Sequence, residues 1–242
     1  MHSNDGASHA YTSIPALMPG DGACYSPPTG AKYTCDRPRN EYKLDYTGSN
    51  PAFVGLDIDI ISTASKPCAA EGASLSGLNP DDVVAACNGA TDVGSLPLFD
   101  GSATGGDLDL NLTPENGDTG HQLVLDGDLV SATTCSTDSS KVVTCEAKIS
   151  NILMPVNYGT AALSGLQWVT SSSDFVQVDL GLPSTAGNQF QGSSVQINLQ
   201  GHAVQWDNNN TTKGSASPTC ATGTVFPNGL TAGTVPCPIS WS

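Results

Sequence analysis

The chain has 242 residues, 13% of them charged, with 23 acidic against 8 basic side chains and a formal net charge of −15. That balance excludes nucleic-acid binding by phosphate neutralisation and a polybasic membrane-surface role. No run approaches the roughly 20 apolar residues of a spanning helix. At 38% hydrophobic residues a core can still be buried. Gly, Pro, Ser, Thr, Asn and Asp dominate the remainder and favour turns over helices. The composition therefore predicts a β-rich, loop-heavy protein.

In chain order, residues 1–20 carry no strong pattern, although Ala10–Met18 is apolar enough to pack against a partner surface. Residues 21–40, with Cys24, Cys35 and three prolines, read as a disulfide-pinned loop. Tyr42–Thr47 alternates as a strand and is followed by the turn Gly48-Ser49-Asn50-Pro51. In Phe53–Ile61, Leu56, Ile58 and Ile60 alternate with Gly55, Asp57 and Asp59, the period-2 signature of a half-buried strand. Pro80–Ala86 is the one helix candidate: Asn79 suits the N-cap, Pro80 the first helical position, and Asp81 and Asp82 the positive dipole end. Further strands are expected at Asp107–Leu112, Gln122–Leu125, Val142–Ser150, Leu166–Val169, Phe175–Leu180 and Ser194–Gln205. Together these predict an all-β, antiparallel β-sandwich with one short helix and disulfide-stapled loops. The domain is drawn at 21–242, with a tail at 1–20, an inserted loop at 62–96 and a C-terminal extension at 210–242.

The eight cysteines fall into near pairs: Cys24 with Cys35, Cys68 with Cys87, Cys135 with Cys145, and Cys220 with Cys237. These gaps exceed the two to four residues between zinc ligands, and no C-x-x-C occurs. Eight cysteines allow 105 pairings; short loops favour the nearest-neighbour set. Four disulfides imply an oxidising compartment. Met1–Asp5 is polar and has no signal-peptide character, so a mature secreted form is expected.

Chemistry-bearing motifs are absent from the sequence. The histidines, His2, His9, His121 and His202, form no H-E-x-x-H, and there is no G-x-S-x-G, Walker or G-x-G-x-x-G motif. The acidic pairs Asp57/Asp59, Asp107/Asp109 and Asp126/Asp128 have two readings. Clustered carboxylates suit calcium, whereas residues i and i+2 of a strand also simply share a water-facing side. No catalytic residue, cofactor or metal site is expected.

Two stretches are more specific. Leu182–Gly192 contains Ala186, Gly187, Asn188, Phe190, Gln191 and Gly192, and it precedes a strand ending at Ala203 and Gln205. These residues resemble the N-x-[FY]-Q-G and A-x-Q signature of the camelysin/TasA-type secreted biofilm matrix proteins. Leu17-Met18-Pro19-Gly20-Asp21 looks like that family's L-x-P-G-D turn. Independently of any family, Gly187 and Asn188 suit a positive-φ turn, Phe190 an apolar anchor, and Gly201 a bulge or close approach.

The resemblance implies a jelly-roll-like sandwich that polymerises with itself into extracellular fibres by donor-strand exchange, with other matrix components as further partners. The candidate donor is the N-terminal tail, with Tyr11, Ile14, Leu17 and Met18 supplying buried side chains. The alternative for this tail is a disordered N-terminus. The rival functions are a monomeric surface adhesin or calcium-dependent carbohydrate-binding module, and the metallopeptidase label attached to camelysin, for which no zinc-ligand set is present. The fibre reading implies that a chain lacking residues 1–20 folds but does not assemble.

Overall fold

A computed structural model describes residues 9–24, 33–37, 40–66, 109–114, 123–126, 132–156, 166–185, 190–211, 219–226 and 231–242. The candidate helix Pro80–Ala86, the pair Cys68/Cys87, and Ala186, Gly187 and Asn188 lie outside the described residues.

Ten strands are described: β1 His9–Ile14, β2 Gly22–Ala23, β3 Asn40–Asp45, β4 Ala52–Thr63, β5 Asp109–Pro114, β6 Leu123–Asp126, β7 Ala132–Thr137, β8 Val143–Met154, β9 Ser173–Gly181 and β10 Ser194–Gln205. They form two antiparallel sheets. Sheet A runs β1-β10-β4-β8-β7, and sheet B runs β2-β9-β5-β6, with β3 pairing β9 beyond β2. The first strand lies beside the last, the next strands cross to the other sheet beside the penultimate strand, and β4 returns beside β10. That is the connectivity of a jelly roll, two Greek keys wrapped into a sandwich.

Alternation explains the long strands. Val195, Ile197 and Leu199 of β10, Leu56, Ile58 and Ile60 of β4, and Val143, Cys145, Ala147 and Ile149 of β8 are all buried. They join Leu180, Leu182, Phe190 and Trp168 in the main core. The intervening β4 carboxylates Asp57 and Asp59 stand on the opposite, outer face of sheet A. Their spacing therefore reflects strand geometry, the water-facing reading of this pair. Asp107 and Asp128 lie outside the described residues, as do the side chains of Asp109 and Asp126.

Burial changes face toward the far end of sheet A. Asn151 adopts φ 61°, and the β4–β8 register shifts between Leu56 and Ile58. This bulge turns Leu153 outward, where it packs with Phe53 and Leu166 in a second cluster. Cys237 belongs to the same cluster, with Trp206, Cys220, Phe226 and Trp241 packed against it. The described part of the segment after residue 210 thus packs on the outer face through this cluster, and Val225 adds a parallel bridge to Ile152 of β8. Asn209 ties it down: its side-chain carbonyl accepts from the Ile239 and Ser240 amides, and its amide donates to the Ser240 carbonyl.

Several expectations are corrected. The loop at 62–96 begins later than its drawn boundary, since β4 continues through Thr63. Leu166–Val169 is no strand: Trp168 makes a single antiparallel bridge with Ala52, and its indole donates to the Met154 carbonyl at 2.8 Å. Of the two readings of Gly201, a bulge or a close approach, the bulge is absent, because β10 pairs β4 without a register shift. Gly192 precedes β10 and takes φ 83° in a turn. Among the described residues, three nearest-neighbour disulfides agree with expectation: Cys24–Cys35, Cys135–Cys145 and Cys220–Cys237, with Cα separations of 5.0, 4.1 and 5.5 Å. They place the folded chain in an oxidising compartment, the chemistry of secreted proteins. No helix among the described residues is long and apolar enough to cross a membrane.

Gly22 and Gly181 are register partners in β2 and β9, and the buried Tyr33 ring lies over both. A Cβ at Gly181 would meet that ring at 2.3 Å. Gly181→Ala is expected to destabilise the fold by about 2 kcal/mol through overpacking, lowering the melting temperature by about 5 °C in a thermal scan. Burial raises the Tyr46 pKa above its ordinary 10.0, and its hydroxyl donates to the Asn50 carbonyl. A raised folded pKa contributes stability below the unfolded value that is lost as pH rises through the folded one. The stability gap between wild type and Tyr46→Phe should therefore be constant below about pH 10 and close above it, as read by urea unfolding.

Candidate assembly site

The sandwich leaves strand edges open, and the N-terminal edge of sheet A gathers the candidate donor residues. β1 pairs β10 without a break: His9 stands opposite Gln200, Tyr11 opposite Asn198, and Ile14 opposite Val195. Pro15 and Pro19 lie beyond the last paired residue, so neither removes a ladder donor. Among the described residues, β1 has β10 as its one strand neighbour. An edge of this kind is a template for pairing with another chain.

The four candidate donor residues do not behave alike. Ile14 is buried and Leu17 fully so, whereas Met18 is 46% exposed, a correction to its expected burial. Met18 instead lies on the surface, where its sulfur accepts from the Gln191 amide. Of Tyr11 the register alone is described.

After β1 the chain makes a bulge. Ile14 is opposite Val195, yet the Leu17 amide donates to Ser193, and the Gly192 amide donates back to Leu17. One extra residue is thus accommodated, and Ala16 takes φ 51°. The L-x-P-G-D segment then folds as a type II turn: Pro19 occupies the second position, Gly20 the third at φ 99°, and the Asp21 amide donates to the Met18 carbonyl at 2.9 Å.

This turn carries the chain from sheet A to sheet B and is clamped from both. Gly20 donates to Leu182, and Leu182 donates back to Asp21. The buried Asp21 carboxylate accepts from the Met18 amide at 3.0 Å and from both Nε and Nη2 of Arg37, the latter at 2.6 Å. The same Nη2 also donates to the Ala16 carbonyl at 3.1 Å. Hydrogen bonding to Asp21 raises the Arg37 pKa above its ordinary value, against a smaller opposing effect of burial. Arg37 is positioned in turn by the Cys24–Cys35 bridge, by its amide bond to Gly22, and by neighbouring Asp36, which accepts from the same glycine.

Of the family-motif residues, Phe190 is buried as an anchor beside this corner. The Gln191 carbonyl accepts from Ser65, and the Gly192 amide holds Leu17. Ala203 and Gln205 are exposed at the end of β10, on the parity that is buried further upstream. The motif therefore brackets β10 on both sides. Nothing in the sequence alone connected it to Arg37, which lies far from it along the chain.

A second polar cluster occupies the outer face of sheet A. Asp57 accepts from the Asn151 amide at 2.8 Å and lies 3.7 Å from His202 Nδ1. The His202 ring covers Gly55, where a Cβ would come within 2.4 Å of it, and meets Trp241 edge-on at 5.1 Å. Lys148 pairs with Asp59 at 3.3 Å. Among the described residues, no group of three or more His, Cys, Asp and Glu is placed to hold a metal ion.

No family model matches the chain, and no curated protein matches it. Among solved structures it is similar to AvmM, which catalyses macrocyclization in alchivemycin A biosynthesis: 13% identity over 75% of this chain and 67% of that one, with a TM-score of 0.31. A likeness of that degree carries no argument about function.

Asp57 satisfies the bulge amide while holding His202 under the C-terminal segment. Asp57→Ala leaves that donor without its partner and is expected to cost about 1–3 kcal/mol. Urea unfolding followed by the fluorescence of the chain's three tryptophans checks it.

Proposed function

We propose that the chain is a secreted structural subunit that assembles into extracellular matrix fibres by exchanging its first strand between copies. On this reading β1 pairs with its own β10 in the free subunit and with β10 of the next subunit in the fibre. The observation that carries it is the division of labour at the N-terminus. β1 is an unbroken edge strand, whereas Leu17–Asp21 immediately after it is clamped to both sheets. A strand able to leave is thus joined to a corner that stays. Exchange of an identical element between copies is a low-cost route to oligomers, and strand addition at a sheet edge supplies its affinity through main-chain hydrogen bonds. The resemblance to camelysin/TasA-type matrix proteins agrees with this role. The reading includes no catalytic activity and no bound cofactor.

The opposite edge of sheet A is less suited to pairing. The β7–β8 register shifts between Ala132 and Cys135, and a disulfide joins the facing Cys135 and Cys145. A bulge on an edge strand discourages addition of a further strand, so growth through β1 is favoured over edge-to-edge stacking. With a net charge of −15 the subunits repel one another, and assembly should be promoted by salt, which screens charges beyond about 10 Å at 0.1 M.

The test is negative-stain electron microscopy of the full chain beside one lacking residues 1–14, both checked for folding, across salt, calcium and pH. The cut falls at 14 because Leu17 belongs to the core, so removing residues 1–20 would damage the fold itself. Fibres from the full chain alone are the expected result. Fibres from both would exclude β1 as donor, and none from either would overturn the fibre role.

A further inference from the structure

We infer that Ala16 is a strained hinge, held closed by Arg37, and that its strain biases β1 toward release into a second copy of the chain. This inference rests on the β1-exchange reading and names the device that regulates it. Ala16 sits at φ 51°, a left-handed conformation that disfavours any side chain with a Cβ. Such a conformation persists only where its surroundings over-determine it.

The surroundings are visible on both sides of Ala16. Upstream, Ile14 is buried opposite Val195. Downstream, Leu17 is buried and bonded in both directions to Gly192 and Ser193. Across the bend, Arg37 Nη2 holds the Ala16 carbonyl while the same guanidinium grips Asp21. When β1 leaves, Pro15 and Ala16 are free to extend and the strain is relieved, whereas the Leu17–Asp21 corner keeps its own bonds. A short strained hinge is the arrangement that invites strand exchange. Glycine at position 16 would adopt this φ without penalty; the alanine therefore keeps the closed subunit less stable than it would otherwise be.

The two residues predict effects of opposite sign in the full chain. Ala16→Gly removes the strain and should slow assembly about fivefold while raising hydrogen-exchange protection of the β1 amides by a similar factor. Arg37→Lys keeps a positive charge for Asp21 but lacks the planar fork that reaches two acceptors at once. It should speed assembly and lower β1 protection, with the thermal scan still showing a cooperative fold. Assembly is followed by light scattering and electron microscopy, β1 opening by hydrogen exchange of the unassembled subunit, and folding by thermal scan. Opposite shifts in the two variants support the hinge. Fibres forming at the wild-type rate in both folded variants, with β1 protection unaltered, would overturn the hinge and leave the fibre role standing. Absence of assembly by every form would overturn both.

Discussion

The structure depends on satisfying one carboxylate. Asp21 is 7% exposed, at the point where the chain passes from one sheet to the other. A buried charge without partners costs several kcal/mol. Here it receives the Met18 amide and the paired nitrogens of Arg37. Arg37 reaches it because the Cys24–Cys35 bridge folds residues 33–37 back over β2. Around this pair, the ends of β9 and the start of β10 are bonded to the same five-residue turn. Removing the guanidinium would leave the carboxylate uncompensated at the seam of the sandwich.

That seam separates two kinds of contact. Beyond it, toward the C-terminus, sheets A and B share a continuous apolar core. Before it, the described contacts of β1 are its ladder with β10 and the buried Ile14. Local opening free energies range from near zero at weakly held elements up to the global value, and the proposed exchange requires β1 to fall at the lower end of that range. On the proposed strand-exchange reading, a subunit that stays folded while lending a strand needs such a boundary, and the corner at Leu17–Asp21 would supply it.

The outer face of sheet A shows how a short stretch of chain changes what a strand pattern means. From Leu56 onward, β4 follows the usual rule, with apolar residues inward and carboxylates outward. At Gly55 and Phe53 the C-terminal segment covers the outer face, and residues of both parities become buried. Gly55 is required there because the His202 ring lies directly over it. The Asn151 bulge performs the matching change on β8, turning Leu153 toward that second cluster. Two local devices, a glycine and a left-handed asparagine, thus convert a one-sided sheet into a two-sided one.

The sequence by itself determined the strands whose side chains alternate. β10 coincides with its expected span, and β3, β4, β8 and β9 differ only at their ends, because period-2 burial is written residue by residue. Short cysteine spacings favoured the nearest-neighbour pairing without fixing it, since short loops close at the lowest entropic cost, and the structure shows three of those pairs. Strands β2 and β7 were not legible, and β1 entered only as a candidate donor strand implied by the family resemblance. His9–Ile14 and Ala132–Thr137 are largely polar or small, and their extended form comes from backbone pairing with β10 and β8, which their own composition does not encode. The L-x-P-G-D turn was readable as a turn, but its partner was not, because Arg37 reaches Asp21 only after a disulfide and two sheets have closed around it. The strain at Ala16 belongs to the same class: alanine has no intrinsic preference for a left-handed φ, and only bonds to residues distant in the chain hold it there.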